Sequence, residues 1–299
     1  MKLKQLSKKI AHHWFPQRKK KGHKGDFGRV LIIAGSRGMV GAAVLTSWGV
    51  IRSGVGLLRL VTVKSQQSLA MQKGPLEMTT MGVLENNEGQ LSFRAVPLVF
   101  KILKQFKPDV VAIGPGLGQS KQTQKFIFKF LSSLEIPVVI DADALNALSA
   151  FKKKIKPKSD WILTPHEAEA ARLLKVSPKR ISIDRMAAVK EVSRQFKGTC
   201  LLKGSGTLIS DGVKIYKNTT GNSGMASGGM GDVLTGIIAS FWAQRLKQGF
   251  PNPLESASLG AYIHGLAGDI LRRNRKMSGM IASDVAQYLP IVSRPFLKI

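Results

Sequence analysis

Cysteine, aromatic residues and negative charge are all scarce in this chain of 299 residues. Cys200 is the single cysteine, which excludes an internal disulfide framework and fits a reducing compartment. Between Gly198-Thr199 and Leu201-Leu202 it reads as a buried strand thiol. Aromatics make up 7% of the chain and do not interleave with its basic residues. No zinc-finger spacing or RNA-recognition signature is present either, so the sequence argues against a nucleic-acid partner, although 46 Lys and Arg against 18 Asp and Glu leave a formal charge of +28. The basic residues fall in short clusters, Arg18–Lys21, Lys152–Lys154 and Arg272-Arg273 with Arg275-Lys276, which read as solvated loops and helix ends. No apolar run reaches the roughly 20 residues of a membrane span, and no apolar stretch follows the basic start as a secretory leader would require. A cytoplasmic protein without membrane contact is expected. There is no GxGxxG fingerprint, no P-loop and no GxSxG elbow, and the five histidines have no metal-ligand spacing.

What is present is 43% hydrophobic residues in a regular order. A chain of this size can bury roughly three quarters of its unfolded surface. Strand-like runs occur at Arg29–Ala34, Leu57–Val63, Asp109–Ile113, Pro137–Ile140, Trp161–Leu163 and Thr199–Leu202, with helical patterns between them. Gly206–Ser210 and Val213–Lys217 read as a hairpin around Asp211-Gly212. Ile183–Gln195 reads as one helix opened by Ser182, and Gly74–Ser92 has no clear pattern. Strand–helix alternation predicts an α/β fold with a largely parallel central sheet flanked by helices on both faces. One domain over residues 24–299 is expected, preceded by a basic extension over residues 1–23 with a short helix near Leu3–Trp14.

The chain is organised around Asn222–Asp232, a glycine-rich turn that ends in a carboxylate and runs into the apolar helical pattern Val233–Phe241. The turn's amides at Gly228, Gly229, Met230 and Gly231 form a candidate anion hole. Asp232, in or near the first helical turn, is either an N-cap or a general base, and the helix dipole there favours its ionised form. Other polar turns follow strands, at the edge where such sheets bind ligands. Gly114–Gly118 suits a close backbone approach or a rigid turn. Thr164-Pro165-His166 places Thr164 as a cap and Pro165 at the first helical position, with His166 either structural or facing the crevice. Lys203-Gly204-Ser205-Gly206-Thr207 suits phosphate or ribose, or is plain surface. Asp141, Asp143 and Asn146 could hold magnesium or its waters, or act as caps.

Together these stretches resemble the ADP-dependent NAD(P)H-hydrate dehydratases of the ribokinase-like superfamily. The matching residues are Lys24–Gly28, Ala34-Gly35-Ser36, Gly41-Ala42-Ala43, Gly114–Gly118, Asp141–Leu145, Leu163–His166, Lys203–Thr207 and Asn222–Gly236. Two positions depart from the pattern: Ala168 where glycine is frequent, and Met230 where a small polar residue is usual. The resemblance implies a homotetramer that restores NADH or NADPH from their hydrates while ADP becomes AMP and phosphate, with Mg2+ bridging the phosphates. It places the hydrate near Ala43, Gly116, His166 and Asp232, with Asp232 as the base, and the nucleotide near Lys203–Thr207 and Gly231. Some relatives carry an N-terminal epimerase domain, for which Met1–His23 is too short, so a separate epimerase is the implied functional partner. A small-molecule kinase of the same superfamily is the rival reading, and a basic nucleic-acid-binding protein the more distant one.

Overall fold

The computed structural model describes residues 3–18, 21–151, 155–275 and 278–297; the cluster Lys152–Lys154 lies outside them. Short apolar runs supply the strands β1 (Lys4–Gln5), β2 (Arg29–Ile33), β3 (Leu57–Val63), β4 (Thr79–Val83), β5 (Val110–Ile113), β6 (Val138–Ile140), β7 (Trp161–Leu163), β8 (Thr199–Leu202), β9 (Leu208–Ser210) and β10 (Ile215–Lys217). They form one sheet in the order β1-β10-β9-β8-β7-β6-β5-β2-β3-β4. Every pairing is parallel except those that β9 makes with β8 and β10. The chain runs outward from β2 through β3 to β4, then resumes on the other side of β2 at β5. The reversal at β2 and β5 opens a crevice beyond their carboxyl ends.

Because side chains alternate along a strand, Val30 and Ile32 enter one core while Leu31 and Ile33 enter the other. Helices Lys8–Trp14, Val40–Arg52, Met230–Lys247, Pro253–Arg275 and Ala282–Ser293 cover the first face. Helices Val96–Phe106, Lys121–Ser133, Ala142–Phe151, Glu167–Leu174 and Arg185–Phe196 cover the second. The expected fold class is therefore observed. Met230–Lys247 is buried on nearly all sides from Met230 to Arg245, as its unbroken apolar run requires. It crosses Val40–Arg52 so tightly that a Cβ on Gly236 would lie 2.2 Å from the Thr46 carbonyl oxygen, and one on Gly49 2.4 Å from that of Val233.

Three expectations need correction. The patternless Gly74–Ser92 contains β4, an edge strand whose partly exposed Thr-Thr-Met-Gly-Val run carries little apolar signal. The helix read as Ile183–Gln195 is two helices, Pro178–Ile183 and Arg185–Phe196. Asp184 separates them and caps the second by accepting from the Ala187 amide at 2.9 Å. The segment set apart as a basic extension is packed into the domain over Lys4–Phe15. β1 pairs with β10, and Leu6, Ala11, Trp14 and Phe15 are buried among its lysines. Trp14 meets Tyr216 edge-on at 5.4 Å between ring centroids, and Phe15 stacks on Phe296 at 5.5 Å. No helix of the described residues is long and apolar enough to cross a membrane.

Candidate active site

The loops that leave the carboxyl ends of β2, β5, β6, β7 and β8 lie along one edge of the sheet, and those after β6 and β8 bring Asp141 and Lys203 beside Gly231 at the start of helix Met230–Lys247. The loops after β2 and β5 are joined at the reversal point, where the Gly35 amide donates to the Pro115 carbonyl at 2.9 Å. Gly116, at φ 61, lies so near the β2 loop that a Cβ there would be 2.6 Å from the Met39 carbonyl oxygen. Ala43 is fully buried in the helix after β2, with its methyl group under Gly35.

Gly229 is the N-cap of helix Met230–Lys247, at φ 85, and makes no side-chain cap bond. The first helical bond runs from the Val233 amide to the Gly229 carbonyl at 3.1 Å. The amides of Gly229 through Asp232 therefore precede the helical ladder and are available to an anion. Met230 contributes only backbone here, because its side chain is buried in the core. Asp232 sits three residues after the cap, so the N-cap reading fails on position. Its ionisation also differs from expectation. Burial first, and the charge of Asp141 second, push its carboxyl up to about 7, against the opposing pull of Lys203. Among the described residues no side-chain hydrogen bond occupies it.

Asp141, at the end of β6, has the opposite surroundings. One oxygen accepts from Lys203 Nζ at 2.8 Å and the other from Thr235 Oγ1 at 2.8 Å. Thr235 lies one turn beyond Asp232 on the same helix face. The chain leaves Asp141 through Ala142 at φ 48, a left-handed conformation that costs a non-glycine residue about 1–3 kcal/mol. Lys203 also lies 3.8 Å from Glu169. Burial alone would lower the ammonium's pKa; the charges of Asp141, Glu169 and Asp232 outweigh it and leave Lys203 raised. Lys203, expected to reach for phosphate, has one bond on Asp141. Asp143 holds the β5 loop by accepting from the Gly118 amide at 2.8 Å, and Asn146 accepts from Arg172 Nε at 2.9 Å. Among the described residues no three His, Cys, Asp or Glu side chains gather as a metal cage.

His166, not Thr164, caps helix Glu167–Leu174. Its Nδ1 accepts from the amides of Ala168 and Glu169 at 3.1 and 3.3 Å, and the Glu169 carboxylate accepts from the His166 amide at 2.8 Å. That leaves the half-exposed ring's Nε2 edge, 3.5 Å from Glu169.

The loop Lys203–Thr207, the glycine turn at Met230-Gly231 and helix Pro253–Arg275 enclose a cleft of about 430 Å³. The whole stretch Lys203, Gly204, Ser205, Gly206, Thr207 lines it, as does Gly231. Ala43, Gly116, His166 and Asp232 do not, which separates two sides of one site across the glycine turn. A larger groove of about 770 Å³, lined by Leu3 and helix Arg185–Phe196, contains none of these residues. Sequence reasoning missed the residues that hold the cleft. Arg185 donates to the carbonyls of Ser205 and Lys203 at 2.7 and 3.1 Å. Asp269 accepts from the Gly221 amide and Asn222 Nδ2 at 2.9 and 3.0 Å. Both come from distant helices and carry no local signal.

Residues 30–291 match a family model described as NAD(P)H-hydrate dehydratase. The chain is 40% identical over 282 residues to the bifunctional NAD(P)H-hydrate repair enzyme Nnr of Moorella thermoacetica, covering 93% of this chain and 52% of that one. It is 34% identical to the Escherichia coli enzyme of the same name, covering 98% and 53%. The chain thus spans about half the length of the curated relatives it matches. Among solved structures, a ribokinase-like superfamily protein from Enterococcus faecalis superposes with TM-score 0.84 at 28% identity, over 99% of this chain and 97% of that one. The ADP/ATP-dependent NAD(P)H-hydrate dehydratase of Bacillus subtilis, co-crystallised with ATP and Mg2+, superposes with TM-score 0.81 at 28% identity over 99% of both.

Proposed function

Because the chain belongs to the NAD(P)H-hydrate dehydratase family, we propose that it restores NADH and NADPH from their hydrates in an ADP-dependent dehydration, yielding AMP and phosphate. The observation that carries this reading is the pairing of an unoccupied carboxylate, Asp232, with free amides at the head of a buried helix, beside a cleft of nucleotide size. In this reading the nucleotide occupies Lys203–Thr207 and Gly231, and the hydrate lies towards Ala43, Gly116 and His166. Asp232 takes the proton of the hydrate's ring hydroxyl as that oxygen attacks the β-phosphorus of ADP and the bond to AMP breaks. A group with its pKa near 7 is suited to this task. Amides of Gly229 through Asp232 stabilise charge on the transferring phosphoryl group. Phosphate then leaves with the carbon–oxygen bond pair, driven by the ring nitrogen, and loss of the neighbouring ring proton restores the dihydronicotinamide.

Mg2+ fits as an ion that arrives with the nucleotide. It retains several waters and takes few carboxylates, which agrees with the absence of a metal cage among the described residues. Asp141 and Glu169 would meet its waters, and the ion would neutralise phosphate charge. A homotetramer in the cytoplasm completes the proposal.

Incubation of the protein with hydrated NADH and ADP or ATP, with Mg2+, tests it. Return of dihydronicotinamide absorbance with release of phosphate is expected. Accumulation of a phosphorylated product without that absorbance would instead identify a small-molecule kinase.

A further inference from the structure

The loop Lys203–Thr207 has a one-sided hydrogen-bond pattern. Arg185 Nη1 donates to the Ser205 carbonyl at 2.7 Å, and Nη2 to those of Leu202 and Lys203 at 3.3 and 3.1 Å. The Gly204 carbonyl accepts from Thr207 Oγ1 at 2.9 Å. Every carbonyl from Leu202 to Ser205 is therefore engaged. The Lys203 amide donates to the Pro165 carbonyl at 2.8 Å, but among the described residues the amides of Gly204, Ser205 and Gly206 have no partner. A run of free donors beside engaged acceptors suits a ligand rich in acceptor oxygens. In a trans peptide the carbonyl and the amide that follows it point in opposite directions. The Lys203 and Ser205 carbonyls turn to Arg185, so the amides of Gly204 and Gly206 turn away from it. The whole loop lines the cleft and Arg185 does not.

The arrangement needs a guanidinium, whose planar fork reaches several carbonyls at once where an ammonium is a single point charge. Gly204, at φ 138, lies so close that a Cβ there would be 2.8 Å from Arg185 Nη2. Arg185 opens helix Arg185–Phe196, where a cation opposes the helix dipole, so helix stability gives no reason for it. Its Nε is 3.3 Å from Glu167, whose other oxygen accepts from Ser182 Oγ at 2.8 Å. We propose that Arg185 is a positioning residue for nucleotide binding, which gathers the loop's carbonyls on one side and so presents the amides of Gly204 and Gly206 to the oxygen atoms of the nucleotide. The inference rests on the reading of this cleft as a nucleotide site and adds to it the residue that shapes its donors.

Titration calorimetry with ADP and the repair assay test this on wild type, Arg185→Ala and Arg185→Lys. Val192→Ala, at a buried position of the same helix, serves as the control for lost stability. ADP affinity should drop about tenfold in Arg185→Ala. KM for ADP should rise by the same factor while kcat at saturating ADP stays within about twofold of wild type, because pre-set donors hold ground state and transition state alike. Arg185→Lys keeps the charge without the fork and should lose nearly as much; it carries the test by itself if Arg185→Ala does not fold. Val192→Ala should melt lower with ADP affinity unchanged. In wild type, ADP should slow hydrogen exchange at the Gly204 and Gly206 amides. Unchanged ADP affinity in either Arg185 variant overturns the proposal. So does a fall in kcat as large as the rise in KM, or a loss of affinity in Val192→Ala equal to that in Arg185→Ala. Exchange at Gly204 and Gly206 that ADP leaves unaltered also overturns it. Wild-type protein that binds ADP and slows this exchange but restores no NADH defeats the dehydratase reading alone and leaves the role of Arg185 standing.

Discussion

Asp141 and Asp232 stand at the same edge of the sheet, one at the end of β6 and the other in the first turn of the helix that faces it. Asp141 is 1% exposed and both its oxygens are taken, by Lys203 and Thr235. Asp232 is half-buried, unbonded among the described residues, and raised by burial and by Asp141 to about 7. The satisfied carboxylate holds Lys203 in place. The unsatisfied one can exchange its proton with a ligand. A carboxylate prepared for proton transfer is recognised by what its neighbours leave undone.

Asp232→Asn tests this division most severely. The substitution keeps size and removes the base, so turnover should fall roughly 100- to 10,000-fold while the melting temperature does not drop and ADP affinity holds. Near wild-type restoration of NADH by a normally folded variant would assign the proton transfer elsewhere. Asp141→Ala should act on stability first. It strands Lys203 and Thr235 beside a cavity and should cost about 3 kcal/mol, a typical effect of breaking a buried ion pair, read as a lower denaturant midpoint. An unaltered midpoint would show that the pair contributes little.

Titration separates the two carboxylates more finely. Activity that needs ionised Asp232 should rise with pH to a plateau, half-maximal near 7. In Asp141→Asn that limb should move to lower pH, because a charge that raised Asp232 has gone. Stability carries the opposite sign. An acid with a raised folded-state pKa binds more protons folded than unfolded. Ligand-free stability should therefore fall as pH rises from the ordinary aspartate value of 3.8 towards 7, and Asp232→Asn should flatten that slope. An identical slope in both proteins would mean that Asp232 titrates normally. The smallest effect belongs to Thr235→Val. It removes one hydrogen bond from Asp141 and should cost about 1 kcal/mol with turnover nearly unchanged; a large loss of turnover would give Thr235 a part in the chemistry.

The central strands were legible because they are short apolar runs closed by glycine or a polar turn, as in Arg29–Ile33 and Val110–Ile113. β4 was not, since an edge strand needs apolar side chains on little more than one side. In the N-terminal segment, Leu6, Ala11, Trp14 and Phe15 are too sparse among lysines to form a pattern, yet each finds a buried position. In the site, the glycine turn with its carboxylate and the loop Lys203–Thr207 could be picked out as local chemistry. Arg185 and Asp269 could not, because each holds a loop far from it in sequence.

The sequence by itself determined the alternation that makes a parallel sheet and the position of its polar turns. It also determined the family resemblance, since these depend on residue order within short windows. Tertiary structure alone decided the states of the charged groups. Whether Asp232 is a cap or a base depends on Gly229 taking the cap position and on Asp141 lying nearby across the sheet edge. Whether Lys203 is free for phosphate depends on the two carboxylates that flank it. Burial and electrostatics act through space, between residues as far apart in the chain as Asp141 and Thr235.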